Sequence, residues 1–117
     1  MKTSLSADIY LRFLQLAEAI RGLPTLPALD PLEERMLGLI ANAGARQERL
    51  SVRDMMAKNE LGAPATIHTR LKSMREKGWI ELADTEDARR KQLELTEAAR
   101  QHFEKLSACI VQAASDA

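Results

Sequence analysis

The 117-residue sequence predicts a mainly helical fold with one small antiparallel hairpin. Three observations predict it. Two capping boxes, Asp30–Glu33 and Ser51–Asp54, each open a helix. Pro64 starts a further helix that Gly78 ends. Two short alternating runs, W-I-E-L-A and K-Q-L-E-L, then read as paired strands. The order helix, short helix, turn, helix, hairpin, helix is that of a winged helix-turn-helix. It is flanked by N- and C-terminal helices.

The first helix spans residues 4–21. Leu5, Ile9, Phe13, Leu16 and Ile20 recur at steps of three and four. Leu11 and Leu14 lie off that stripe, so the helix is apolar on most sides. Such a helix needs burial on more than one side, and a second copy of the chain supplies it. The connector G-L-P-T-L-P-A-L-D is broken by Pro24 and Pro27. The second helix runs from Pro31 to about Asn42, with Leu32, Met36, Leu39 and Ile40 on one face and Gly44 as its stop. The short third helix carries Val52, Met55 and Met56, and Glu60 to Ala63 form a turn. Trp79 packs the hairpin against the helices. Thr96 caps the last helix, whose Ala99, Phe103, Leu106, Ile110 and Ala113 form a seam against another helix. The whole reads as one domain, 1–117, with a core at 30–95 and terminal dimerisation helices at 4–21 and 96–115. Ile9, Phe13, Leu16, Phe103, Leu106 and Ile110 are the expected dimer contacts.

Composition is that of an ordinary globular chain, 45% apolar and 29% charged. No apolar run reaches membrane-spanning length, and the start lacks a signal-peptide layout, so a cytoplasmic protein is expected. A single cysteine excludes an internal disulfide, and Cys109 reads as a small buried helix residue. No Cys/His/Asp spacing suggests a metal, and no cofactor is expected. No nucleophile–base pair or phosphate loop points to an enzyme. With 3% aromatics, stacking on single-stranded nucleic acid is not expected.

The helix from Pro64 to Lys77 carries the functional signal. A helical wheel puts Ile67, Leu71 and Met74 in one inward sector. Ala65, Thr69, Lys72 and Glu76 lie opposite, flanked by Thr66, His68 and Ser73. Small polar residues in the first half suit base edges in a major groove: Thr and His hydrogen-bond bases, and a Thr methyl meets a thymine methyl. Lys72 and Arg75 suit phosphates, as does Arg70 from the flank. The Ser51 helix start offers N–H groups to a phosphate. The loop after the first strand carries Arg89, Arg90 and Lys91, cations fit for a minor groove. Asp84 and Asp87 are placed to pair with the arginines and fix the loop's shape. These residues predict a double-stranded DNA partner.

These motifs resemble the MarR-type winged helix-turn-helix transcriptional regulators. That family often carries Asp-x-Arg-Asp-x-Arg in the wing. Asp84, Asp87 and Arg89 match three of those four positions, followed by Leu95-Thr96-Glu97. Glu86 stands where the family usually has Arg, and Ala99 where glycine is common. T-I-H-T-R-L-K-S-M-R-E-K-G-W-I resembles the family's Thr-Val-Thr stretch leading to Leu-Glu-Lys-x-Gly-Leu-Val. The resemblance implies a homodimer built from the terminal helices. Thr66, His68, Thr69 and Lys72 would read the major groove, Arg89 the minor groove, and Asp87 would orient the wing. It implies a regulator, by default a repressor, on a pseudo-palindromic site. In the family, small aromatic effectors often bind between the dimerisation and DNA-binding regions. The short C-terminal region and few aromatics here do not predict such a pocket.

One property opposes this reading. The chain holds 17 basic and 17 acidic residues. Neutrality suits a winged helix that contacts proteins and not DNA. By segment, however, residues 64–80 hold four basic residues and one acidic. Residues 81–95 hold three basic and five acidic, so the neutral sum conceals a basic helix beside an acidic wing.

Overall fold

The computed structural model describes residues 5–21, 26–86 and 91–115. The elements are α1 (Leu5–Arg21), α2 (Pro31–Ala45), α3 (Val52–Met56), a 3-10 turn (Asn59–Leu61), α4 (Pro64–Glu76), β1 (Ile80–Asp84), β2 (Lys91–Leu95) and α5 (Glu97–Ser115). The chain divides into two compact units. One holds residues 26–99, and the other pairs the N-terminal segment with residues 100–117. The fold is the expected one, mainly helical with a two-stranded antiparallel hairpin. Among the described residues no helix is long and apolar enough to cross a membrane.

Within residues 26–99, both capping boxes form as the sequence dictates. Asp30 and Ser51 each accept from the backbone N–H three residues on, and Glu33 and Asp54 reach back to the cap N–H. α2 packs on α4 and β2, α3 on α4 and β2, and α4 on β1. Met36, Ile40, Met55, Ile67, Leu71, Met74, Trp79, Ile80 and Leu93 fill the core. On α2 the buried set is Glu33, Met36, Leu37 and Ile40; Leu32 and Leu39, expected inside, are only half-covered. Leu37 takes the place because the buried arc of α2 faces both α4 and β2.

The end of α2 departs from expectation. The helix passes Gly44 and runs to Ala45. Gln47, with φ 58°, supplies the left-handed residue instead. Its N–H donates to the Gly44 carbonyl and that of Glu48 to the Ala43 carbonyl, at 3.1 and 2.8 Å. That is a Schellman ending with glutamine in the position glycine usually takes. α4 ends the same way, with Gly78 at φ 86° and Trp79 N–H on the Met74 carbonyl.

The first strand runs one residue later than its alternating run suggests, from Ile80 and not Trp79, whereas the second spans Lys91–Leu95 as expected. Asp84 faces Lys91 and Ile80 faces Leu95 across the ladder. The Leu50–Ser51 segment extends this sheet: Leu93 N–H donates to the Leu50 carbonyl at 2.7 Å, and Ser51 bridges Gln92. Trp79 Nε1 donates to the Pro27 carbonyl at 2.7 Å, fixing the connector to the hairpin's entry. The Thr96 hydroxyl donates to the Gly78 carbonyl and accepts from Ala99 N–H, so one side chain caps α5 and ties it to the end of α4.

In the other unit, Ala17, Cys109 and Ala113 are buried. Ile9, Phe13, Leu16, Phe103 and Leu106 are half-covered. The side chains of Leu5 and Ile20 lie outside the described residues. Tyr10, Leu11, Leu14, Ile110 and Val111 stand exposed, Val111 at 64%.

Gln47→Gly removes the left-handed strain and raises stability by about 0.5–1 kcal/mol, against the added entropy of the unfolded chain. Gly78→Ala does the opposite, because its Cβ would meet Leu26 Cδ2 at 3.2 Å on a backbone of positive φ. Thermal or denaturant unfolding of the two variants checks the pair.

Candidate nucleic-acid interface

α4 is built to show one face and hide the other. Ile67, Leu71 and Met74 are buried, as the wheel predicts. Ala65, Thr66, His68, Thr69, Lys72, Arg75 and Glu76 are exposed on the outer side. Ser73 is half-buried at the flank. The helix start has no capping side chain: Ala63 precedes Pro64. Pro64 brings no N–H, so the open donors begin with Ala65. The Thr69 hydroxyl donates to the Ala65 carbonyl at 3.0 Å. Its proton is thus used locally, which leaves the oxygen's lone pairs and the methyl group for a partner.

The inner end of α4 is fixed by charge. Glu33 is fully buried. Its Oε1 accepts both from its own cap N–H at Asp30 and from Lys77 Nζ, each at 2.9 Å. Burial pushes the Glu33 pKa up, but the Asp30 N–H and the Lys77 ammonium outweigh burial and hold it below the usual carboxylate range. Asp30 meanwhile takes the Arg70 guanidinium at 2.8 Å. The first turn of α2 therefore grips α4 at two points, about two turns apart. Arg70, read from sequence as a phosphate contact, lies half-exposed in this grip. Lys77 and the second role of Glu33 carried no local signal in the sequence.

Two grooves flank the site. One, about 550 Å³, runs between α4 and β1. His68, Lys72 and Arg75 line it with Glu76 and Glu81, over a floor that includes Leu71 and Ile80. The other, about 190 Å³, lies at the base of the hairpin between Arg49, Ser51, Asp54, Thr85 and Lys91. Ser51 is spent as the α3 cap, and the Asp54 carboxylate sits on its N–H. Asp84 pairs with Lys91 across the hairpin, and the Lys91 ammonium lowers the Asp84 pKa. Asp84, expected to serve the wing arginines, meets Lys91, the third cation of that run. Asp87, Arg89 and Arg90 lie outside the described residues. Arg49, which sequence reasoning passed over, pairs with Glu86 at 2.7 Å. The signal for it was Glu86 itself, an acid at a position where the resemblance called for a cation. Among the described residues no group of His, Cys, Asp and Glu is placed to hold a metal ion.

No protein-family model matches the sequence, and neither does any curated protein. Solved structures do. A variant of S. aureus MepR bound to an oligodeoxyribonucleotide superposes with a TM-score of 0.56 at 19% identity, covering 94% of this chain and 73% of that one. The adhesin competence repressor AdcR of Streptococcus pyogenes gives 0.51 at 25% identity, over 72% of this chain and 59% of its own. A Clostridium acetobutylicum protein assigned to the MarR family of transcriptional regulators gives 0.50 at 18% identity, over 98% and 79%. The chain has the MarR-type winged-helix fold. In that fold the β1–β2 hairpin is the wing, and α4 is the helix that precedes it.

Glu33→Ala leaves the Lys77 ammonium and the cap N–H of Asp30 without their acceptor, and lowers stability by about 2 kcal/mol or more. The folded pKa of Glu33 lies below its unfolded value. The stability it supplies is complete above the unfolded carboxylate range and is lost as pH falls through the folded value. Glu33→Gln therefore flattens the acid side of the stability profile. Equal acid slopes for wild type and Glu33→Gln in urea titrations would show that the charge contributes nothing.

Proposed function

We propose that this protein is a sequence-specific double-stranded DNA-binding regulator of transcription, acting in the cytoplasm as a homodimer and, by default, as a repressor. The observation that carries it is the outer face of α4. Small and polar residues occupy its first half, cations its second, and the buried inner face and the Glu33–Lys77 contact hold it in one orientation. The oligodeoxyribonucleotide bound to MepR supports DNA as the partner, and the name of AdcR supports repression. Thr66, His68 and Thr69 approach base edges, with Thr69 offering a methyl to thymine and an oxygen acceptor to adenine or cytosine amino groups. Lys72 and Arg75 meet phosphates from the groove beside β1, and the Ala65 and Thr66 N–H groups meet one at the helix start. Lys91, Arg89 and Arg90 belong to the wing, which lies along the flanking minor groove.

A second copy of the chain supplies the missing cover for Tyr10, Leu11, Leu14, Ile110 and Val111. Exposed aliphatic and aromatic side chains on both helices of one unit are what an obligate partner would bury. Two recognition helices then enter successive major grooves about 34 Å apart, one helical turn. A dimer seated at a promoter excludes polymerase. Neutral net charge keeps a second reading in view, a winged helix that binds protein alone.

Binding of duplex DNA at low salt, weakening as salt rises, separates the two readings; no binding at low salt favours the protein partner. Thr69→Ala alters preference at one base position per half-site by about 1–3 kcal/mol, whereas Lys72→Ala weakens all sequences alike. An unaltered base profile removes Thr69 from readout. Light scattering at micromolar concentration gives the mass of two chains, and Leu14→Glu shifts it toward one. A wild-type monomer overturns the dimer.

A further inference from the structure

We propose that Arg49 is a phosphate-contacting residue of the DNA face, and that Glu86 occupies its guanidinium where a phosphate would sit. The inference rests on the duplex-DNA reading above. Arg49 precedes α3 and Glu86 follows β1, 37 positions away in sequence. One guanidinium nitrogen meets one carboxylate oxygen at 2.7 Å, and both side chains are well exposed, at 60% and 84%. An exposed single-contact pair of this kind is weak and easily exchanged. A phosphate offers the same guanidinium two oxygens in fork geometry, so it displaces a carboxylate held by one.

Placement makes the exchange relevant to DNA. The backbone beside Arg49 is not a free loop: the Leu50 carbonyl accepts from Leu93, and Ser51 bridges Gln92. The Arg49 backbone is therefore anchored beside the hairpin, and its guanidinium reaches out from that anchor. Arg49 and Lys91 line the same groove at the hairpin base. Val52, three residues on, lines the groove that holds His68, Lys72 and Arg75. The segment 49–52 thus lies between Lys91 at the hairpin base and the cations of α4. Glu86 stands where MarR-type wings usually carry Arg. The structure places a cation there after all, supplied from the other side of the sheet. Lys91 is held in the same manner by Asp84. Each acid lowers attraction to an arbitrary phosphate and is displaced when a duplex is seated well enough to bring a phosphate onto the cation.

The test is a double-mutant cycle on duplex binding over a range of salt, using the full chain as wild type, Glu86→Gln, Arg49→Ala and both together. Glu86→Gln raises affinity about three- to tenfold at low salt, and Arg49→Ala lowers it by a similar factor and reduces the salt slope by about one. In the Arg49→Ala background the gain from Glu86→Gln falls below about twofold. Unfolding midpoints of all four forms serve as the control and stay together, because both residues are exposed. Equal gains in the two backgrounds would mean that Glu86 acts only as bulk charge, and overturn the latch. So would an Arg49→Ala protein that binds as wild type does. Binding by wild type with either of those results leaves the DNA reading standing. No duplex binding by any of the four overturns that reading, and the latch with it.

Discussion

The orientation of α4 depends on one buried carboxylate. Glu33 has no exposed surface, yet it is held charged, because its oxygen takes a backbone N–H and an ammonium group at once. A charge in such a place destabilises any arrangement that leaves it unpaired. The penalty therefore selects the packing in which Lys77, at the end of α4, lies over the first turn of α2. Asp30 adds a second hold through Arg70. Since Lys77 is followed at once by Gly78 and the strand β1, the same contact also sets where the hairpin leaves the helix. Gly78, Thr96 and Trp79 carry that geometry onward to the wing, to residues 97–99 and to the connector before α2.

Local chemistry in the sequence made much of this fold legible. Capping boxes, the Pro64 start, the Gly78 ending, the Thr96 cap and the Ile67–Leu71–Met74 stripe are decided within a few residues of chain, and each stands where its residues place it. What the sequence hid is of longer range. Glu33 reads as half of a capping box, and its partner 44 residues on is invisible to any local pattern. Gln47 in a left-handed conformation gives no sign of itself, since glutamine rarely takes that role. The one-residue bridge at Ser51 is too short for alternation to reveal. At the candidate site the outer face of α4 was legible because a helix fixes all its directions once the buried side is known. The ion pair of Arg70 was not, because it joins separate elements, and that of Arg49 was hinted at only by an acid at position 86.

Charge reconciles a neutral chain with the proposed selective reading of DNA. Residues 64–80 carry a net positive charge beside an acidic wing segment, and several nearby cations are already occupied: Arg70 by Asp30, Arg49 by Glu86, Lys91 by Asp84. Lys72 and Arg75 look onto a groove that they share with Glu76 on their own helix and with Glu81 on β1. Weak attraction for phosphates in general leaves a larger share of the discrimination to fit along the base edges.

The most direct measurement is selection of bound sites from a pool of random duplex DNA by the wild-type protein. The structure predicts enrichment of two similar half-sites related by a dyad, their centres about 10 base pairs apart. Recovery of no common sequence, or of one half-site without its mate, would contradict an account in which two copies of α4 read DNA together.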